Sequence, residues 1–464
     1  FKLNNVFLRK GYLPLQGKYA KLEKVRRNQI ERIYQVIWSG LHLALEGHQE
    51  ILIPPSNNES QLSAIRALTE FLLKLVSLGI NRGPSTMAQE VKKIAFQCTA
   101  IAGQVRYESS GLDIKAAFCG HLAFILDDKR RMWTLANLGR SLPPPLVAGK
   151  TDSALAEMVE RMVPPIKPKP TEADVLANLY AFVKERVRIL CHARRRAGKN
   201  LGFGVQSIPD KACIERSRKD GGVQSYYAEK LKTTKGVAHA GWTPAGWVLP
   251  FPTEREVPLD FSNELRSARI RATGLALRAI TESDVQDLIQ TKEYPLARPL
   301  ALAERGLKVR IATKHPAALV TLGRKLNSLL IPLLEEDRTC SQTLKGVKGI
   351  PPTIRRGIES NVANADFELL SADLSAASDY IQHDQALTVW AATYDALREN
   401  GCPITELDFL AGNLMLGPQR LHHDDNLDTQ LTTQGTCMGL PLTWFVLHWL
   451  NRFASESAEL LQDL

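Results

Sequence analysis

Residues 367–379 constrain the fold more tightly than any other stretch of this 464-residue chain. A short apolar run, Phe367-Glu368-Leu369-Leu370-Ser371-Ala372, leads into Asp373-Leu374-Ser375-Ala376-Ala377-Ser378-Asp379. Such a run, followed by small turn-prone residues, reads as a buried strand. Its end presents the Asp373 carboxylate, a ligand type suited to a hard divalent cation. The small residues that follow leave room for a bulky substrate to lie against the backbone. Ser378 or Asp379 can equally cap the next helix. That helix is expected over His383–Asn400 and is stopped by Gly401 and Pro403.

Downstream comes Gly435-Thr436-Cys437-Met438-Gly439-Leu440-Pro441-Leu442-Thr443-Trp444, then an apolar stretch that carries Asn451. Gly435 and Gly439 permit backbone conformations and close approaches that a Cβ forbids. Pro441 is compatible with a helix starting near it. Trp444, Phe445, Val446, Leu447 and Leu450 are core-type residues, so a glycine turn into a buried helix accounts for the pattern as well.

Upstream, Leu307–Lys314 alternates with period two. Lys308, Arg310 and Lys314 share one face and Val309, Ile311 and Thr313 the other. This strand either lines a channel with positive charge or is a solvated edge strand protected by its charges. Lys345, Lys348, Arg355 and Arg356 form a further basic cluster, suited to a nucleic-acid backbone or to a solvated loop.

Charge is distributed unevenly. Residues 361–464 hold three basic and fifteen acidic residues, whereas residues 1–360 hold 56 basic and 34 acidic ones. A basic body attracts phosphate backbones, and the alternative is a charged surface without a partner. The hydrophobic content of 44% is that of a globular chain, and the apolar runs fall short of a membrane span. Seven scattered cysteines without a Cys-x-x-Cys argue against a disulfide framework and for a reducing compartment.

Helical periodicity runs from Gln29 to Leu78, through Ile33, Val36, Ile37, Leu41 and Leu45, and is interrupted by Pro54-Pro55. Pro143-Pro144-Pro145 and the proline-rich stretch 164–170 frame a segment that reads as a surface connection. Thr171 then reads as the N-cap of a helix that ends near Arg194–Gly198. Residues 200–256 read as loops and short strands, and 264–290 as helical. Two acidic pairs could imitate metal sites. His422-His423-Asp424-Asp425 reads as a loop, and Asp127-Asp128, after Phe124-Ile125-Leu126, as the end of a strand or helix.

In this order and spacing the segments resemble motifs F, A and B of a viral RNA-dependent RNA polymerase. The likeness is to the ourmia-like, narna-like and mitovirus group, and most to the ourmia-like viruses. The resemblance implies an α+β right-hand polymerase, rich in helices. A helical N-terminal region (1–165) would precede fingers with the basic motif F strand (166–366) and a partial palm (367–464). It implies nucleotidyl transfer with Mg2+, or Mn2+ as the alternative, held by Asp373 and the carbonyl of Leu374. Asp379 would recognise the ribose 2′-hydroxyl, and Gly435 and Gly439 would form the flexible loop beside the nascent base pair. Thr443 and Asn451 would supply hydrogen bonds to ribose or to Asp379, while Lys308, Arg310 and Lys314 would contact the triphosphate. The implied partners are RNA template, nascent strand and ribonucleoside triphosphates, in the host cytoplasm or, alternatively, the mitochondrion.

The group's motif C, Gly-Asp-Asp, occurs nowhere in the sequence. The chain therefore reads as a fragment of a longer polymerase ending after motif B, without a thumb. A catalytically inactive RNA-binding remnant is the alternative. A reverse transcriptase is disfavoured by Asp379, because such enzymes place a bulky residue there to exclude ribose.

Overall fold

Apolar residues at helical spacing dominate the chain, and most of the described structure is helical. The computed structural model describes residues 13–45, 59–103, 111–118, 122–146, 148–203, 211–233, 241–243, 246–248, 279–337, 340, 376–422 and 429–462. The chain forms two units: residues 1–155 with 301–310, and residues 156–300 with 311–464.

In the first unit, α1 (Lys24–Ala44), α2 (Glu59–Arg82), α3 (Pro84–Ala102) and α4 (Lys129–Ala136) enclose one core. Ile30, Ile33, Tyr34, Ile37 and Leu41 form the buried stripe of α1, spaced three and four apart as a helix face requires. They pack with Leu68, Leu72, Leu75 and Val76 of α2 and with Met87, Val91 and Ile94 of α3. Two buried polar side chains tie loops to this bundle. The Gln29 carboxamide accepts from the Leu146 N–H at 2.7 Å and donates to the Pro144 carbonyl at 3.3 Å. Gln97 accepts from the Ile114 N–H at 2.9 Å and donates to the Leu112 carbonyl at 3.0 Å. Asp127 closes a short helix, and Asp128 caps α4 by accepting from the Arg130 N–H at 2.8 Å. The pair thus sits at helix ends.

The segment between the proline stretches differs from the surface connection expected of it. Ala148–Met162 is a helix, α5, with Met158 and Met162 buried; from Ala156 it belongs to the second unit. Leu155, Met158, Val159 and Met162 carry the helical spacing, and Pro164 stops the helix.

The second unit is built around α6 (Ala173–Arg196), whose N-cap is Glu172 and not Thr171. Thr171 is instead occupied by Asp384, which accepts from its N–H at 2.8 Å. The 200–256 region contains a helix, α7 (Gly222–Thr233), where loops and short strands were expected; β1 (Gly241–Thr243) and β2 (Gly246–Val248) pair antiparallel. Of the helix expected over 264–290, the described part, 279–290, is helical.

A four-stranded sheet comes next, in the order β4-β3-β5-β6, from β3 (Leu296–Glu304), β4 (Lys308–Lys314), β5 (Arg420–Leu421) and β6 (Gln430–Leu431). β3 runs parallel to β5, with Leu296 opposite Arg420, and β5 runs antiparallel to β6. The tip between β3 and β4 belongs to the first unit. There the Gly306 N–H donates to the Leu142 carbonyl at 2.7 Å, and Leu307 packs on that unit's core. Gly306 and Leu307 turn the chain at φ 82° and 49°. The non-glycine residue in that region carries a strain of roughly 1 kcal/mol.

α8 (Ala317–Leu334), α9 (His383–Glu399), α10 (Glu406–Leu416) and α11 (Thr443–Gln462) complete the unit. Trp390 of α9 donates its indole N–H to the Phe409 carbonyl at 2.9 Å and lies over Gly412, where a Cβ would meet the indole at 2.1 Å. α8 is long and apolar enough to cross a membrane (mean hydropathy 1.3), but 67% of that stretch is buried inside the protein, and it carries a buried cation. Lys325 of α8 lies 2.6 Å from the Asp408 carboxylate, with side-chain exposures of 3% and 0%. Its ammonium also sits over the Phe203 ring at 4.7 Å, and Asp408 accepts from the Thr405 N–H at 3.0 Å in a capping box that starts α10.

Candidate functional site

Asp373 and Leu374 lie outside the described residues, as do Lys345, Lys348, Arg355, Arg356 and the strand expected over 367–372. Ala376, two residues beyond Leu374, is described and holds φ 51°. Ala377–Tyr380 form one 3-10 turn, and the Asp379 N–H donates to the Ala376 carbonyl at 2.9 Å. Neither Ser378 nor Asp379 caps α9, whose N-cap is Gln382. Freed from that duty, the Asp379 carboxylate accepts from Arg161 Nε at 2.9 Å and faces the Ser378 hydroxyl at 3.2 Å.

The glycine-rich loop comes to the same place. The Thr436 N–H donates to the Ser378 carbonyl at 2.8 Å, and the Gly435 N–H donates to the Ile381 carbonyl at 2.6 Å. Gly435 holds φ 89°, and a Cβ there would fall 2.8 Å from Met162 Cε and 2.9 Å from the Asp379 carbonyl oxygen. Only glycine satisfies both the conformation and the approach. His383 Nε2 donates to the Gly435 carbonyl at 3.0 Å, and burial holds its pKa below the ordinary histidine value.

The second glycine meets the end of the basic strand. The Gly439 N–H donates to the Thr313 hydroxyl at 3.1 Å, and a Cβ on Gly439 would lie 2.0 Å from the Thr313 carbonyl oxygen. Thr313 also bonds His315 Nε2 at 2.7 Å, and burial lowers the pKa of His315 to about 3. Cys437, fully buried beside them, has its thiol pushed up to about 12 by desolvation. Lys314 follows Thr313 directly and is half-buried.

The other expected residues are placed differently. Lys308 and Arg310 are exposed on β4, in the part that belongs to the first unit; Arg310 pairs with Glu304 at 3.5 Å. Their alternation with Val309 and Ile311 follows the pattern read from the sequence. Thr443 opens α11, and its hydroxyl donates to the Cys437 carbonyl at 2.9 Å, closing the loop on itself. Asn451 is exposed two turns along α11, and no hydrogen bond joins it to Asp379. His422 follows β5, while His423, Asp424 and Asp425 lie outside the described residues. Among the described residues no three His, Cys, Asp or Glu side chains gather as a metal-binding group.

Sequence reasoning missed the end of α5. The last carbonyls of a helix lack intrahelical partners. Here the Met162 carbonyl accepts from the Thr433 N–H at 3.0 Å and from the Gln434 N–H at 3.4 Å, and the Arg161 carbonyl accepts from the Gln434 side chain at 2.7 Å. One helix terminus therefore holds the Asp379 carboxylate and the loop leading into Gly435. The signal available was the apolar spacing of 155–162 followed by proline.

No family model and no solved structure matches the chain. Two curated relatives do. One is an RNA-directed RNA polymerase of Saccharomyces 20S RNA narnavirus, 29% identical over 445 residues, which are 93% of this chain and 46% of the relative. The other is an RNA-directed RNA polymerase of Saccharomyces 23S RNA narnavirus, 27% identical over 260 residues, which are 54% of this chain and 25% of the relative. The chain thus spans less than half the length of the curated relatives it matches. By sequence, it is a relative of the viral RNA-directed RNA polymerases of the narna-like group.

Proposed function

We propose that this chain handles template and nucleotide in an RNA-directed RNA polymerase of a positive-strand RNA virus. It would act on an RNA template, a nascent strand and ribonucleoside triphosphates. The observation that carries this reading is the meeting of two segments far apart in sequence. The Asp379 turn and the Gly435 loop share backbone hydrogen bonds in a chain whose relatives bear that name. In a polymerase, a carboxylate and a mobile glycine loop flank the incoming nucleotide. Asp379 would accept the ribose 2′-hydroxyl, the group that separates ribonucleotides from deoxyribonucleotides. Gly435 and Gly439 would let the loop lie against the base pair. Thr443 and Asn451 belong to the helix that carries this loop, and they would act once the loop moves. Lys308, Arg310 and Lys314 would contact the triphosphate, arginine through paired donors and lysine as a point charge.

Mg2+, or Mn2+ as the alternative, would be held by Asp373 and the Leu374 carbonyl and would supply charge stabilisation for nucleotidyl transfer. Titration of the chain with a fluorescent ribonucleoside triphosphate tests the reading. Binding should require Mg2+, and Asp373→Asn should remove the Mg2+ dependence while the protein stays folded. Equal binding with and without Mg2+ would count against it.

The same reading expects RNA binding with little sequence preference. Affinity should fall by roughly 10³ between 50 and 200 mM salt if about six phosphates are contacted. Filter binding at a series of salt concentrations measures the slope, and an affinity indifferent to salt would reject the basic body as an RNA surface.

A further inference from the structure

Arg161 stands outside every sequence motif and yet holds Oδ2 of the Asp379 carboxylate, whose Oδ1 meets only the neighbouring Ser378 hydroxyl, at 3.2 Å. The Arg161 Nε donates to Asp379 Oδ2 at 2.9 Å, and its Nη1 lies 3.8 Å from Glu157, one turn earlier on α5. The side chains are 25% and 14% exposed, so the pair is held in place and still open to a ligand. A charge-assisted bond from a planar guanidinium sets the rotamer of its acceptor, and the carboxylate keeps lone pairs for a further donor.

The attachment of α5 to the loop does not depend on the guanidinium. It rests on the Arg161 and Met162 carbonyls, which accept from Gln434 and Thr433, and on Met162 packing at Gly435. The side chain of Arg161 is thus free of the stapling role that its own backbone performs.

We propose that Arg161 is the specificity-determining positioning residue of this site. It aims Asp379 so that the carboxylate accepts the 2′-hydroxyl of a ribonucleoside triphosphate, and it thereby sets the preference for ribose over 2′-deoxyribose. The proposal rests on the polymerase reading above. A site built around a hydroxyl loses its discrimination when the acceptor is misaimed, and misplacement by an ångström costs on the order of 10²-fold.

The test measures ATP and dATP binding by the full chain with Mg2+, for the wild type, Arg161→Met, Arg161→Lys and Asp379→Asn. Wild type should prefer ATP. Arg161→Met should lose most of that preference, by on the order of 10²-fold, through weaker ATP binding at unchanged dATP affinity. Asp379→Asn should lose it likewise, and combining the two should cost no more than either alone. Arg161→Lys, which keeps charge without the fork, should fold like the wild type and show an intermediate preference. A merely structural residue would weaken both nucleotides together. If Asp379→Asn abolishes the preference while Arg161→Met keeps it, this inference falls and the polymerase reading stands. Should Arg161→Met not fold, a full preference in folded Arg161→Lys overturns the inference. If the wild type shows no ribose preference, the polymerase reading fails and the inference with it.

Discussion

Asp408→Ala should destabilise the second unit by about 3–5 kcal/mol, because it leaves the Lys325 ammonium buried without its counter-charge. The pair lies 2.6 Å apart with almost no solvent exposure, so neither partner can find water in compensation. The phenyl ring of Phe203 and the more distant Glu282, at 3.8 Å, replace only part of the lost interaction. Asp408 also closes the capping box at Thr405, whose loss adds about 1 kcal/mol. Lys325→Met combined with Asp408→Leu should recover much of the deficit, since a buried ion pair is often no better than apolar residues of similar volume. Urea unfolding followed by a probe in each unit reads the effect. The transition of the second unit should move to lower urea while that of the first stays in place, and a shift in both would refute the assignment.

Acid should loosen the junction of Gly439 with β4, through His315. Its folded-state pKa of about 3 lies below the ordinary value of 6.5, because burial disfavours the imidazolium. Among the described residues Nδ1 has no hydrogen-bond partner, and Nε2 is engaged by the Thr313 hydroxyl, which in turn binds Gly439. The unfolded chain takes up a proton near pH 6.5 and the folded chain only near pH 3. The stability conferred by the neutral ring is therefore complete above pH 6.5 and is lost as pH falls towards 3. Between about pH 7 and 4 the loss is about 3 kcal/mol. His315→Asn removes the titration, so the difference between wild type and variant should shrink as pH falls. Parallel stability curves for the two proteins would contradict this.

How much was legible in the sequence depended on whether the information was local. The α1 stripe and the bounds of α9 followed from apolar spacing and from Gly401, because burial of one helix face writes itself into consecutive residues. β4 was readable from its alternation of charge and aliphatic side chains. The glycines at 435 and 439 marked where backbones approach, but that the Gly435 loop bonds to the Asp379 turn is seen only in the structure, because the two segments lie some 56 positions apart. The Arg161 contact and the Lys325–Asp408 pair were not visible, since they join residues 218 and 83 positions apart and no periodicity reports a partner so distant. α7 was missed because its neighbours, rich in glycine and tryptophan, masked twelve residues that are helical through packing of Val223 and Tyr227. Thr171 has the composition of a cap, yet Asp384 competes for it more effectively than the helix does.

The tip at 301–310 has a consequence for synthesis on the ribosome. The first unit takes its last ten residues from a point far beyond its main segment, which ends at Leu155. At 5–20 residues per second, roughly 7–30 s separate the emergence of those two parts. During that interval the helices of the first unit wait without Leu307 on their core and without its neighbour's hydrogen bond to Leu142. The nascent chain then carries an unfinished surface just as the basic segments between 156 and 300 appear, which makes this window the one in which a chaperone would matter most.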